Sequence, residues 1–202
     1  MSPARVSDRP TLPVERTSEP VIAWRSWALT GWRDGSHLML RPVARRAAAW
    51  KPGEVAEASC RISPFHDVPD VDCRCGLHAS PTLDVLRHTK CPAVLGRVAL
   101  WGRVIEHERG FRARFGYPQR LRLICQFCFW QWGARSPNPE VVGWYPGSHM
   151  VPFCPAHLGV AIRIGLGPRW VLPAGEVDQA LRDRYAVDPL VLDPAAGIRV
   201  PV

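Results

Sequence analysis

Cysteine and histidine carry most of the chemistry available to this 202-residue chain, and six of its seven cysteines fall into two groups. Cys125, Cys128, Cys154 and His157 read as Cys-x-x-Cys followed by Cys-x-x-His. At that spacing each pair reaches one metal ion from a single turn of backbone, and zinc takes four such ligands in a tetrahedron. The first pair ends the apolar run Leu121-Arg-Leu-Ile124, as a knuckle after a strand would. The second pair reads as the first turn of a helix, because Pro155 suits an early helical position and Cys154 and His157 share a face at i, i+3. Buried free thiols or a disulfide are the competing readings.

A second group lies upstream. Cys60, His66, Cys73, Cys75 and His78 crowd into one short segment rich in proline and aspartate. The preferred ligand set is Cys60, His66, Cys73 and Cys75, with His78 in reserve, and Gly76 lets the chain turn sharply after Cys75. Cys-x-Cys is a less regular chelate than Cys-x-x-Cys. A second zinc, an iron–sulfur or redox role, and a metal-free core therefore all stay open. As a staple, the metal would hold a loop that lacks the apolar residues to pack itself. Cys91 is left over and is expected as a lone buried thiol.

Charged chemistry concentrates in Glu106-His-Glu-Arg-Gly-Phe-Arg-Ala-Arg114. In an enzyme His107 or Glu108 could act as a general base beside an anion clamp of arginines. In a structural hairpin the same residues would only form cross-strand ion pairs. In a nucleic-acid-binding protein Arg112 and Arg114 would meet phosphates. Of the nine tryptophans most belong in a core. Trp130, Trp132 and Trp144, beside or between the ligands of the first group, are the candidates for stacking on bases.

These residues need a frame. Val21–Thr30 and His37–Val43 read as strands of an antiparallel hairpin around Arg33-Asp-Gly-Ser36. Ser80–His88 reads as a short helix with Ser80 as its N-cap and Pro81 following. Ala93–Trp101, Val104–His107 and Phe111–Phe115 read as further strands, the last two joined by a turn at Arg109-Gly110. Pro173–Tyr185 is expected as a helix, since Val177, Leu181 and Tyr185 recur every four residues. The fold class is thus α+β: an antiparallel sheet or small β-barrel with few helices and an inserted zinc-binding module. Four regions follow: a disordered leader over 1–20, a β-rich domain over 21–120, the zinc module over 121–165, and a C-terminal helix and tail over 166–202.

The net charge of +8 and a pI near 9.6 favour acidic partners, nucleic acid first. Part of that basicity has a blander origin. Lysine occurs only at Lys51 and Lys90, Asn138 is the sole asparagine, and alanine, proline, glycine and valine abound, a skew that a GC-rich genome imposes on any protein. No apolar stretch approaches the roughly 20 residues of a membrane span. The first 20 residues have the composition of neither a signal nor a transit peptide. Unpaired cysteines at ligand spacings then suit a reducing cytoplasm.

Two likenesses add to this. Strand, knuckle, loop and helix-borne ligands from Cys125 to His157 resemble a treble-clef zinc module. Cys73-Arg-Cys-Gly-Leu-His-Ala79 and Leu100-Trp-Gly-Arg-Val-Ile-Glu-His-Glu-Arg-Gly-Phe-Arg-Ala113 resemble a group of uncharacterised bacterial proteins, over residues 20–120, and imply no activity. The expected function is a zinc-stabilised, nucleic-acid-associated binding protein. A metalloenzyme built on the upstream group with His107 or Glu108, and an adaptor for another protein, are the alternatives.

Overall fold

The computed structural model describes residues 19–43, 48–63, 65–108 and 110–192. Among these, the strands are β1 Val21–Thr30, β2 Met39–Pro42, β3 Ala56–Glu57, β4 Leu77–Ala79, β5 Val94–His107, β6 Gly110–Leu123, β7 Val141–Tyr145, β8 His149–Phe153, β9 Trp170–Pro173 and β10 Asp188–Pro189. The α-helices are α1 Gln126–Trp132, α2 Pro155–Arg163 and α3 Ala174–Tyr185. Every strand joins one sheet, ordered β10-β6-β5-β1-β8-β7-β9, with β2 beside β1 and with β3 and β4 along β6. The sheet is antiparallel except where β10 meets β6, and it curls into a half-barrel. The expected α+β class with few helices is therefore the one the chain adopts.

Alternation explains the central strands. In β1 the side chains of Ala23, Trp27 and Leu29 are buried at two-residue intervals, as a strand with one covered face requires. Arg25 falls in that same row, a charge where the pattern calls for an apolar residue. The two strands expected over 93–107 are one, β5, bent by a bulge between Trp101 and Val104 at which Gly102 takes a φ of +77°. β6 runs unbroken from the turn through Leu123, so Phe111–Phe115 and Leu121–Leu123 are parts of one strand. At the turn Gly110 has φ +144°, and a Cβ there would sit 2.1 Å from the Ala79 carbonyl oxygen. Arg109 lies outside the described residues, as do the tail from 193 onward and the expected leader apart from Glu19 and Pro20.

One expectation fails for a clear reason. Ser80 does not cap a helix, because its backbone bridges β1 through Trp24 N–H to Ser80 C=O and Ser80 N–H to Trp24 C=O, each 2.7 Å. Its hydroxyl closes a local turn with Thr82. Only a 3-10 turn over Asp84–His88 remains of the predicted helix.

The C-terminal helix matches its periodicity. Val177, Leu181 and Tyr185 of α3 are buried against the sheet, each contributing about 1.5–3 kcal/mol of apolar burial. Tyr185 accepts a hydrogen bond from the Leu40 N–H and donates one to the Trp50 carbonyl, which satisfies its hydroxyl inside the core. On the other face Leu95, Ile124, Phe129, Leu190 and Leu192 form a smaller cluster. The region expected as a zinc module feeds β7 and β8 into the sheet through Leu29↔Met150 and Thr30↔His149. No helix among the described residues is long and apolar enough to cross a membrane.

Candidate metal centres

The first group converges from two helix starts. β6 delivers the chain to Cys125, which is the N-cap of α1, so that Cys128 lies one turn inside. The β7–β8 hairpin delivers it to Cys154, the N-cap of α2, with Pro155 in the first turn and His157 one turn on. The first pair was expected on a bare knuckle; here a short helix fixes it. His157 Nδ1 lies 3.4 Å from Cys125 Sγ, 3.4 Å from Cys128 Sγ and 3.1 Å from Cys154 Sγ, and Cys128 and Cys154 Sγ are 3.6 Å apart. A tetrahedral zinc with ordinary bond lengths has S–S edges of about 3.8 Å and S–N edges of about 3.6 Å. All four donor atoms lie within 4.8 Å of one another, and the three cysteines are buried. Burial pushes the Cys128 thiol up to about 12, with the neighbouring Cys154 and Cys125 adding to it, so a cation must displace its proton on binding. Phe127 stacks on His157 with ring centroids 5.0 Å apart.

The second group hangs on an irregular excursion between β3 and β4. Both strands pair with β6, Ala56 opposite Gly116 and Leu77 opposite Ala113. The intervening chain loops away from the sheet and returns. Cys60, His66, Cys73 and Cys75 bring their donor atoms within 4.8 Å of one another, each half-buried. Cys60 and Cys73 Sγ are 3.7 Å apart. The amides of Ile62 and Ser63 both donate to Cys60 Sγ at 3.4 Å. Those amides, Ser63 first, pull the Cys60 thiol down to about 7 against the desolvation that opposes them. Burial raises Cys75 to about 11.

His66 shows why a cation fits. Its Nδ1 is 2.8 Å from the Asp67 carbonyl, so Nδ1 carries the proton in the neutral ring. Nε2 is buried and has no hydrogen-bond partner. An imidazole that donates from one nitrogen to a backbone carbonyl and turns the other toward thiolates has the outer-sphere arrangement of a metal-bound histidine. The Asp67 carbonyl is also the chief reason that the ring, without a metal, holds its proton up to about 9. His78 stands outside the group: it is on β4 and its Nε2 meets the Arg74 carbonyl at 3.0 Å.

Arg112 is the residue whose role the sequence concealed. It is 7% exposed. Its Nη1 donates to the carbonyls of Asp70 at 2.9 Å and Cys73, with Cys75 at 3.5 Å. The expected phosphate contact is therefore replaced by a buried cation that gathers the ligand loop onto β6. Gly76 takes a φ of +123°, and a Cβ there would sit 3.0 Å from the Arg112 Cβ, so the loop passes close to β6. Trp144 is also internal, half-buried and donating its indole N–H to the Gly31 carbonyl. Arg114 remains at the surface, paired with Glu57 at 3.1 Å. Trp130 and Trp132 stay on the exterior of α1, 39% and 54% exposed, with the Trp130 N–H donated to the Thr89 carbonyl.

Neither candidate base joins the second group: Glu108 is exposed at the hairpin turn, and His107 lines a cleft. That cleft, about 780 Å³ in volume, was not foreseen. Two of its walls are the segments that enter and leave the second group, ending near Cys60 and beginning just after Cys75. Cys91, expected buried, is exposed in a left-handed turn at φ +48°. No disulfide joins any of the seven cysteines. Comparison with known proteins finds no family model that matches the chain, and no curated protein or solved structure similar to it.

Proposed function

We propose that the chain is a zinc-stabilised binding protein in which both metals are structural and the second one sets the walls of the cleft. The carrying observation is the completeness of the two ligand sets: each supplies three sulfurs and one imidazole within reach of one ion. Zinc sites closed by four protein ligands hold structure, whereas catalytic ones keep a position for water. Three thiolates per site favour zinc over oxygen-seeking cations. The order of strand, knuckle, hairpin and helix from Leu121 to Arg163 supports the treble-clef likeness. Seven unbridged cysteines support a reducing cytoplasm. Native mass spectrometry of protein purified without chelators tests the reading. Two zinc ions are expected, one lost in Cys125→Ser and the other in Cys75→Ser. A chain that carries no metal at either group contradicts it.

A second reading keeps nucleic acid as the partner. It is supported by the charge of +8 and by Trp130, Trp132 and Phe127 exposed together on α1. It has lost Arg112 and Trp144 as contacts. Binding to single-stranded DNA or RNA that weakens steeply between low and physiological salt is its expected signature, and no binding at low ionic strength removes it.

A further inference from the structure

The cleft beside the second metal group has a charged residue in its lining with no countercharge. Arg25 rises from β1 into the cleft, and its guanidinium lies 4.8 Å from the Trp50 ring centroid and 5.8 Å from that of Trp27. One nitrogen donates to the His78 carbonyl. Nε is buried and has no acceptor. Among the described residues no carboxylate reaches ion-pair distance of Arg25. The two glutamates of the cleft wall are engaged elsewhere, Glu54 by Lys51 at 3.2 Å and Glu57 by Arg114 at 3.1 Å. Burial alone lowers the Arg25 guanidinium to about 10, with no neighbouring anion to offset it.

A guanidinium held out of water without an anion carries a desolvation cost that the fold leaves uncompensated. Stacking on two indoles fixes its orientation but returns only part of that cost. His78 and His107 also line the cleft, and burial, with the charges of Arg25 and Arg112 adding to it, holds the His78 imidazole below its ordinary value. The lining is otherwise mostly apolar, with Trp50, Val55, Leu77, Val85 and Leu86 among it, while Lys51, Glu54, Glu57 and Arg61 supply its other charges. A concave, largely apolar site with one oriented cation is the form of a pocket that reads an anionic head on an apolar body. We propose that this cleft binds a small organic anion, a carboxylate or a phosphate monoester carried on a flat apolar group, and that Arg25 holds the anion. The proposal rests on the binding-protein reading above and adds the class of ligand.

The test uses the full chain with its metals retained and counted in the same sample. Benzoate, phenyl phosphate and neutral benzamide are titrated in turn while backbone and arginine side-chain NMR signals are followed. At least one of the two anions is expected to shift signals around Arg25, Ser80 and His107 saturably, and to bind about tenfold or more tightly than benzamide, since a hydrogen-bonded charge is worth at least that much. Which anion binds tells a carboxylate site from a phosphate site. Arg25→Gln is expected to abolish the preference for the anion. Should that variant fail to fold, Val85→Asp, at an exposed rim position, is expected to weaken the same anion severalfold by like-charge repulsion. No saturable binding by either anion, benzamide binding equally well, or anion binding unchanged in both variants would overturn the proposal. Two bound metals without anion binding would sink this inference and leave the zinc scaffold standing. Anion binding by a chain that holds no metal would do the reverse.

Discussion

The two Cys/His groups present the same donors, three sulfurs and an imidazole, in opposite settings. At the first, Cys125 and Cys154 are the residues that open α1 and α2, and the three sulfurs are buried. Strand β6 and hairpin β7–β8 bring those helix starts together, so each pair of ligands sits on regular structure. At the second, no helix or strand carries a ligand, and every donor residue is half-buried. Placement there depends on Arg112 gripping carbonyls of the loop and on β3 and β4 anchoring its ends, and an ion bound among the four donors would supply the rest. A metal that completes regular structure differs from a metal that substitutes for it.

Breaking the first site should have the largest effect. Cys128→Ser leaves Cys125, Cys154 and His157 without a closed set where a metal would join the two helix starts, and structural zinc can contribute about 10 kcal/mol or more to a small module. Cooperative thermal unfolding followed by circular dichroism should be lost or shifted down by tens of degrees. A melting curve close to wild type would mean that the site is not holding the fold. Cys75→Ser should act more locally. The sheet survives, and amide exchange accelerates from Ala58 to Gly76 while β5 and β6 keep their protection. Exchange that rises equally throughout would erase the distinction between the sites.

Proton competition sharpens it. Cys128 and Cys75 are held up to about 12 and about 11 by burial, so both favour the neutral thiol until a metal displaces the proton. Apparent zinc affinity at each site should therefore rise with pH and fall with acid, and a chelator titration at pH 6 and pH 8 measures it. At either pH the half-exposed second site should release its zinc first. Simultaneous release would count against the comparison.

Arg112→Gln comes next in size. It removes a buried cation that serves several carbonyls, a loss of about 2–3 kcal/mol confined to the second site. The first zinc should be retained while the second is bound more weakly, as metal titration would report. The smallest effect belongs to Arg114→Ala. Its pair with Glu57 is solvent-exposed on both sides, so denaturant unfolding should change by about 0–1 kcal/mol. Arg112 and Arg114 are two residues apart on one strand, and the contrast between them tests whether burial or charge sets their importance.

What could be read from the sequence follows the range of the interaction. Both groups were legible because metal chemistry restricts donors to cysteine and histidine at close spacing, and His78, the reserve ligand, lies outside the second group. Helix α3 was legible from Val177, Leu181 and Tyr185, whose period is local. Arg112 was not, because its acceptors at Asp70 and Cys73 lie 42 and 39 positions away and are backbone atoms with no sequence signature. Ser80 misled because a backbone bridge to Trp24, 56 positions upstream, took it from the helix. The cleft was invisible for the same reason. A faint signal was present: Arg25 interrupts the apolar row Ala23, Trp27 and Leu29 of β1.

On the zinc-scaffold reading both groups are closed tetrahedral sites of one composition. X-ray absorption at the zinc edge tests it most directly on protein carrying its native metal. Two zinc ions per chain, with an average shell of three sulfurs at about 2.3 Å and one nitrogen at about 2.0 Å, is the predicted result. One zinc per chain, or a shell with a water oxygen in place of a sulfur, would contradict it.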